Sequence, residues 1–213
     1  MINTETINIY GQTYTLHPTG SVYWHETEML LIADVHLGKI THFRKHGSAV
    51  PLSATQYNFT QLDQVLSYFE PKVLCFLGDL FHSYINSEWL LFSEWLTKLS
   101  SEVVLITGNH DVISAVKYEE INITVSNEWQ IGLILLTHIP EVRKHAFNIA
   151  GHIHPGIQLK GPGKQSVSVP CFVKKSNQMI LPAFGTFTGK HILVPDKEDE
   201  IFAVTKDEVI CCT

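Results

Sequence analysis

The feature that most constrains this chain is a repeated construction in which a short apolar run stops at a polar residue able to hold a metal. It first occurs over 30–39, Leu-Leu-Ile-Ala-Asp-Val-His-Leu-Gly-Lys, where four apolar residues run into Asp34 and His36. Such a run with glycine nearby reads as a buried strand entering a loop. Strand alternation would place side chains two residues apart on one side, so that a carboxylate and an imidazole converge on one point. Alone, D-x-H is a weak signal that a satisfied pair at a loop mouth also produces. The construction recurs, however, at Asp79 after Gly78, at Asn109 and His110 after Gly108, at His138 after Thr137, and at His152 and His154 after Gly151.

A sheet can present all of these tips along one edge. Asp34, His36, Asp79, Asn109, His138, His152 and His154 then form a set of oxygen and nitrogen ligands without a cysteine. That set is too large for one tetrahedral zinc and suits two adjacent divalent ions sharing a carboxylate. Two such ions about 3.5–4 Å apart hold a hydroxide as nucleophile and neutralise the oxygens of an in-line phosphoryl displacement. The chemistry so indicated is hydrolysis of a phosphate ester. Manganese, iron, zinc and nickel all accept these donors.

The chain of 213 residues is long enough for one domain with a substantial core, spanning 1–213. No stretch is long and apolar enough to cross a bilayer, so no membrane association is expected. The N-terminus has no basic start followed by an apolar segment, which predicts an intracellular, cytoplasmic protein. Cys75, Cys171, Cys211 and Cys212 lack C-x-x-C spacing, so neither a disulfide framework nor a zinc knuckle is indicated.

The spacing predicts a hairpin around Gly11-Gln12, strands over 20–24 and 29–33, and a helix over 55–69 capped by Ser53. A strand over 73–77 follows, then a helix capped by Ser87 with Trp89, Phe92 and Trp95 on its apolar stripe, then a strand over 103–107. Beyond these lie short strands without a long helical pattern, over 121–125, 128–131, 133–137, 147–150, 167–169, 172–174 and 179–181. Alternation early and strands in succession late predict a mixed α/β architecture of two packed mixed sheets with helices outside. Gly161-Pro162-Gly163-Lys164 lacks P-loop spacing and reads as a hairpin turn.

A net charge of -6 speaks against a polyanionic partner, yet the acids are unevenly placed. From 130 to 190 seven basic residues face one acid, Glu141, and Lys39, Arg44 and Lys45 stand in an acid-free stretch. Gathered on one face, these cations would steer a polyanion. Scattered over loops, they would be ordinary solvated charges.

The ordered blocks from Asp34 through His154 resemble the calcineurin-like metallophosphoesterase superfamily, whose fold is a double β-sheet sandwich flanked by helices. The resemblance implies that Asp34, His36, Asp79 and His154 hold one metal, and Asp79, Asn109, His138 and His152 the other, with Asp79 as bridge. It also implies that His110 binds the phosphate and stabilises or protonates the leaving oxygen, and that Asp111 orients that histidine.

Residues outside the metal blocks carry a closer resemblance. They are 33–39 with Phe43-Arg44, 77–83 (Leu-Gly-Asp-Leu-Phe-His-Ser), 151–155 (Gly-His-Ile-His-Pro), Pro170-Cys171-Phe172, and 181–185 (Leu-Pro-Ala-Phe-Gly) with Phe187-Thr188-Gly189. Together they are similar to the ligase-associated DNA damage response endonuclease family over nearly the whole chain. That similarity implies a manganese-dependent phosphodiesterase acting on DNA, encoded near an ATP-dependent DNA ligase and a helicase. Lys39, Arg44 and His82, just beyond the ligand blocks, are candidate contacts to a substrate phosphate, although His82 also suits a helix-cap region. Phe184 and Phe187 read as core ahead of base-stacking residues. Two alternatives stay open: a small-molecule phosphate ester as substrate, and a non-catalytic scaffold of the same fold. Such scaffolds tend to lose ligands, and none is missing here.

Overall fold

The computed structural model describes residues 2–39, 53–186 and 188–212. Every residue of β4 (Met29–Ile32) is buried, and the two faces of this one strand explain the layering. Leu31, with Ala33 just beyond the strand, joins Cys75, Leu77, Val104 and Ile106 in a cluster shared with Leu136, Ile149, Phe172 and Phe202. Leu30 and Ile32 point the other way, into a cluster with Leu74, Phe76 and Leu105 and the helical residues Leu62, Val65 and Phe92. A strand buried on both sides reads as a continuous apolar run, as this one does. Truncating a side chain of its size in such a core costs about 2–5 kcal/mol.

The first sheet keeps sequence order: β1 (Glu5–Ile9), β2 (Gln12–Leu16), β3 (Val22–Trp24), β4, β5 (Val73–Leu77), β6 (Glu102–Ile106) and β7 (Ile123–Ser126). β1 to β4 pair antiparallel, and β4 to β7 pair parallel. Parallel neighbours need crossovers. α1 (Ser53–Phe69), α2 (Ser87–Leu96) and α3 (Ala115–Glu119) lie on those three connections. α1 ends where Glu70 turns left-handed, at φ 46°, just before Pro71. The cap of α2 is Asn86 and not Ser87: its side chain accepts the Glu88 N–H at 2.8 Å.

The second sheet runs β14 (His191–Ile192), β11 (Pro155–Lys160), β12 (Ser166–Lys174), β13 (Gln178–Ile180), β10 (Phe147–Ala150), β9 (Ile134–Leu136) and β8 (Trp129–Ile131). β15 (Glu200–Val204) pairs with β12, and β16 (Val209–Cys211) with β15. Both sheets are therefore mixed, and they pack face to face. The segments over 167–169 and 172–174 are one strand continuing through Pro170, and 161–164 turns the chain between β11 and β12 as expected. α3, β11, β14, β15 and β16 were not legible in the spacing. α3 has five residues and β14 two, too few to show a period, while two of the six residues of β11 and two of the three of β16 are exposed.

The described helices cover the first sheet only. The outer side of the second carries a small cluster of Cys171, Val173, Ile180 and Ile201. Cys75 and Cys171 are buried and Cys211 and Cys212 exposed. Among the described residues no helix is long and apolar enough to cross a membrane.

Candidate metal centre

The loops after β4 and β5 extend the ladder between those strands. Asp34 N–H donates to the Gly78 carbonyl at 3.2 Å, His36 N–H to Asp79 at 2.9 Å, and Leu37 N–H to Leu80 at 2.8 Å. The backbone in these loops is not extended. Asp34 (φ 56°), His36 (52°), Asp79 (50°), His152 (69°) and His154 (50°) are all left-handed, and they make up five of the ten such non-glycine residues among those described. The expected reason for convergence, strand alternation at Asp34 and His36, is thus replaced by another: left-handed turns beyond the strand ends aim these side chains inward. Each such residue costs of order 1–3 kcal/mol and persists only where its surroundings hold it.

All seven residues proposed as ligands are brought together. Asp34, His36 and His154 form one group whose ligand atoms lie within 4.8 Å of one another, and Asp34, Asp79 and His138 form another. His154 Nε2 lies 3.1 Å from Asp34 Oδ1 and 3.4 Å from His36 Nε2. Asp79 reaches both sides, with Oδ2 at 3.8 Å from His36 Nε2 and Oδ1 at 3.4 Å from His138 Nε2. Asn109 Oδ1 and His152 Nδ1 stand 3.0 and 3.1 Å from His138 Nε2.

The donor chemistry fits a cation. His138 Nδ1 faces the Leu77 carbonyl at 2.9 Å, and since a carbonyl only accepts, the ring proton sits there. In the neutral form that ligates a metal, Nε2 would then present a lone pair to Asn109 Oδ1 and Asp79 Oδ1, acceptor against acceptor. Buried Asp34 Oδ1 makes no hydrogen bond among the described residues. Lone pairs aimed at one another in a buried site repel unless a positive charge lies between them. Burial pushes His36 from its ordinary range down to about 2, with the imidazole of His154 and the ammonium of Lys39 adding to the effect. His152 is lowered by burial and by His138. A neutral imidazole is the form that ligates metal.

Glycines make room for the carboxylates at two points. A side-chain carbon on Gly108 would lie 2.2 Å from Asp79 Oδ1, and one on Gly151 would lie 2.5 Å from Asp34 Oδ2. Asp111 does something other than the expected orienting of His110. Its Oδ2 accepts the N–H groups of Asp79 and Gly108, each at 2.8 Å, and its Oδ1 accepts that of Phe81 at 3.1 Å. It thereby clamps the loops after β5 and β6 together, and no bond to the His110 ring is among its described contacts. Burial raises its pKa, with the charge of Asp79 adding to the rise and three backbone N–H donors opposing it.

Two positioning residues escaped the sequence reading. Buried Glu88, in the first turn of α2, accepts the Gly38 N–H at 2.8 Å and pins the loop that carries Asp34 and His36. Buried Asn148 accepts the Glu141 N–H and donates to Leu135 O and Thr137 Oγ1, on both sides of the His138 turn. An acid at a helix start reads as favourable helix electrostatics, and nothing local marks an asparagine inside an apolar strand as a brace.

His110 is exposed at the mouth, its N–H donating to Asp79 Oδ1 at 2.9 Å. Its ring centroid is 6.1 Å from that of His36 and 5.1 Å from that of His82. Burial lowers the pKa of the half-buried Lys39 ammonium, and the charge of Asp79 opposes that. Arg44, Lys45 and Phe187 lie outside the described residues. Phe184 is core, as expected. The local excess of positive charge over 130–190 is smaller than the sequence suggested. Arg143 pairs with Glu128 and Glu141, Lys174 with Glu200, and Lys175 with Asp196 and Asp199, most of these acids coming from outside the segment.

Carboxylate, amide and imidazole donors without thiolate suit ions that polarise phosphate oxygens, and on this two-sheet frame they define the class of metal-dependent phosphoesterases. The chain belongs to the calcineurin-like phosphoesterase family, whose model matches residues 28–163, more than half its length. Among solved structures it is similar to a Pseudomonas putida nuclease, MPE, at 28% identity and a TM-score of 0.83, covering 98% of this chain and 100% of that one. Yfce, a phosphoesterase from E. coli, is 17% identical with a TM-score of 0.47 over 85% of this chain and 96% of that one. AQ665 of Aquifex aeolicus, a protein of unknown function, is 18% identical with a TM-score of 0.45 over 59% and 78%. No curated protein matches the sequence.

Proposed function

We propose that this chain, acting over 1–213 as one domain, is a two-metal phosphodiesterase that cuts DNA. The observation that carries the reading is end-to-end similarity in sequence and shape to a nuclease, with 98% of one chain aligned to 100% of the other. Asp34, His36, Asp79 and His154 would hold one ion, and Asp79, Asn109, His138 and His152 the second. Asp79 serves both because its oxygens face opposite groups. When bound, two divalent ions supply a water made acidic enough to attack and a positive clamp on the phosphate oxygens. His110, at the mouth beside Asp79, donates a hydrogen bond or proton to the leaving oxygen. His82 and Lys39 flank His36 and offer contacts to the phosphate, joined by Arg44. The similarity to ligase-associated endonucleases supports manganese as the metal and DNA repair, alongside a ligase and a helicase, as the setting.

The test is hydrolysis of supercoiled plasmid by metal-stripped protein with manganese restored, beside His110→Ala. Nicking that needs manganese and drops about 100-fold or more in the variant is the expected result. Nicking unchanged in the variant would remove His110 from the mechanism. No nicking, with a nitrophenyl phosphodiester still cleaved, would exclude DNA and point to a small phosphate ester.

A further inference from the structure

A cavity of about 460 Å³ opens beside His154, outside the ligand cluster. We infer that it seats the nucleotide next to the scissile phosphate, base inside and following phosphate at Lys190 and Lys206; this rests on the nuclease reading above. Its volume falls in the range of small-ligand sites, about 300–1,000 Å³. The cavity is tied to the metal loops through the backbone. Phe184 N–H and Gly185 N–H donate to the carbonyls of Ala33 and Asp34 at 2.9 and 3.1 Å, and the same turn forms one wall. Thr186 of that turn is fastened to buried Asn58 on α1, so the wall keeps its place against the helix. On the other side His191 N–H donates to the His154 carbonyl at 2.9 Å, which sets Lys190 beside a metal ligand.

The lining has the chemistry of a nucleotide seat. Pro170 and Pro182 give flat apolar surfaces, and Tyr57, half exposed on α1, offers a ring on which a base can stack. Gln61 also lines the cavity, and its amide oxygen is buried with no hydrogen-bond partner among the described residues. No aspartate or glutamate is among the described lining residues. Lys190 and Lys206 are both exposed and, among the described residues, neither has a carboxylate partner, whereas Arg143, Lys174 and Lys175 all do. Unneutralised cations at the rim of an acid-free cavity favour an anion beyond the one at the metals.

The test reads binding and cleavage separately. Metal-stripped protein is titrated with a fluorescein-labelled octathymidylate, and anisotropy is followed at several salt concentrations. For Lys190→Ala/Lys206→Ala the slope of log affinity against log salt should fall by about 0.7, the value for one single-strand phosphate contact. Tyr57→Ala should weaken binding about tenfold with the slope retained. With manganese added, the loss of kcat/KM in each variant should be at least tenfold larger on the oligonucleotide than on a nitrophenyl phosphodiester. Unaltered affinity and slope in the variants, or equal losses on both substrates, would overturn the inference. Failure of the nuclease reading looks different: wild-type protein would hydrolyse the diester and leave the oligonucleotide intact. The anisotropy titration then decides the cavity by itself, and absence of binding by the wild type would sink it.

Discussion

Asp111 Oδ2 accepts the backbone N–H of Asp79 at 2.8 Å, so a residue outside the ligand cluster sets where the carboxylate facing both groups stands. The same oxygen holds Gly108. Asp111→Ala would leave three backbone N–H groups without their acceptor, which should lower the unfolding free energy by about 3 kcal/mol and weaken manganese binding about 10- to 100-fold. Urea unfolding and calorimetric metal titration measure the two effects. Asp111→Asn, which keeps the shape, should show the weaker binding without gross unfolding; wild-type affinity in that variant would refute the clamp.

Asp79→Ala should empty both metal positions, because Oδ1 and Oδ2 face different groups. Metal content by mass spectrometry checks this. Loss of a single ion would transfer the shared role to Asp34, which belongs to both three-residue groups.

Gly151→Ala would bring a methyl carbon to 2.5 Å from Asp34 Oδ2 and 2.6 Å from the Ala33 side chain. It should also break the 2.8 Å bond from His152 N–H to Asp34. Overpacking of this kind costs about 1–3 kcal/mol. Thermal unfolding and manganese affinity should both fall, and a variant equal to wild type in both would mean that the loops have slack to move apart.

His17 is buried, bonds Thr19 through Nδ1, and leaves Nε2 without a partner among the described residues. Burial lowers it from 6.5 to about 4. The unfolded chain therefore binds more protons than the native one between pH 6.5 and about 4. His17's contribution is complete above the upper limit and is lost on acidification through that window, amounting to about 3 kcal/mol. Urea unfolding across the window, compared with His17→Asn, isolates it from the other histidines: the variant should lose that part of the pH slope. Parallel curves would show that His17 titrates alike in both states.

Legibility followed the range of the interaction. β4, β5 and β6 were readable because each is a short apolar run with an abrupt polar end, and α1 and α2 because their apolar residues repeat at three and four. β15 escaped although its four buried apolar residues after Glu200 carry the same signal as β5, and β14 and β16 did so because strands this short and exposed exist through their partners. Glu88 and Asn148 escaped for the same reason: each acts on backbone groups of a different element.

By itself the sequence determined the layering and the set of residues that end the strands, because burial period and side-chain chemistry are local properties. Tertiary structure alone decided the rest. It showed that Asp34, His36, Asp79, His152 and His154 turn inward through left-handed backbone. It set Asp111 across from Asp79, 32 positions away, and the N–H of His152 against Asp34, 118 positions away. It neutralised Arg143, Lys174 and Lys175 while leaving Lys190 and Lys206 at the cavity rim. Strain, clamping and charge pairing depend on which distant groups share a few ångströms, and only the packed sheets bring those groups together.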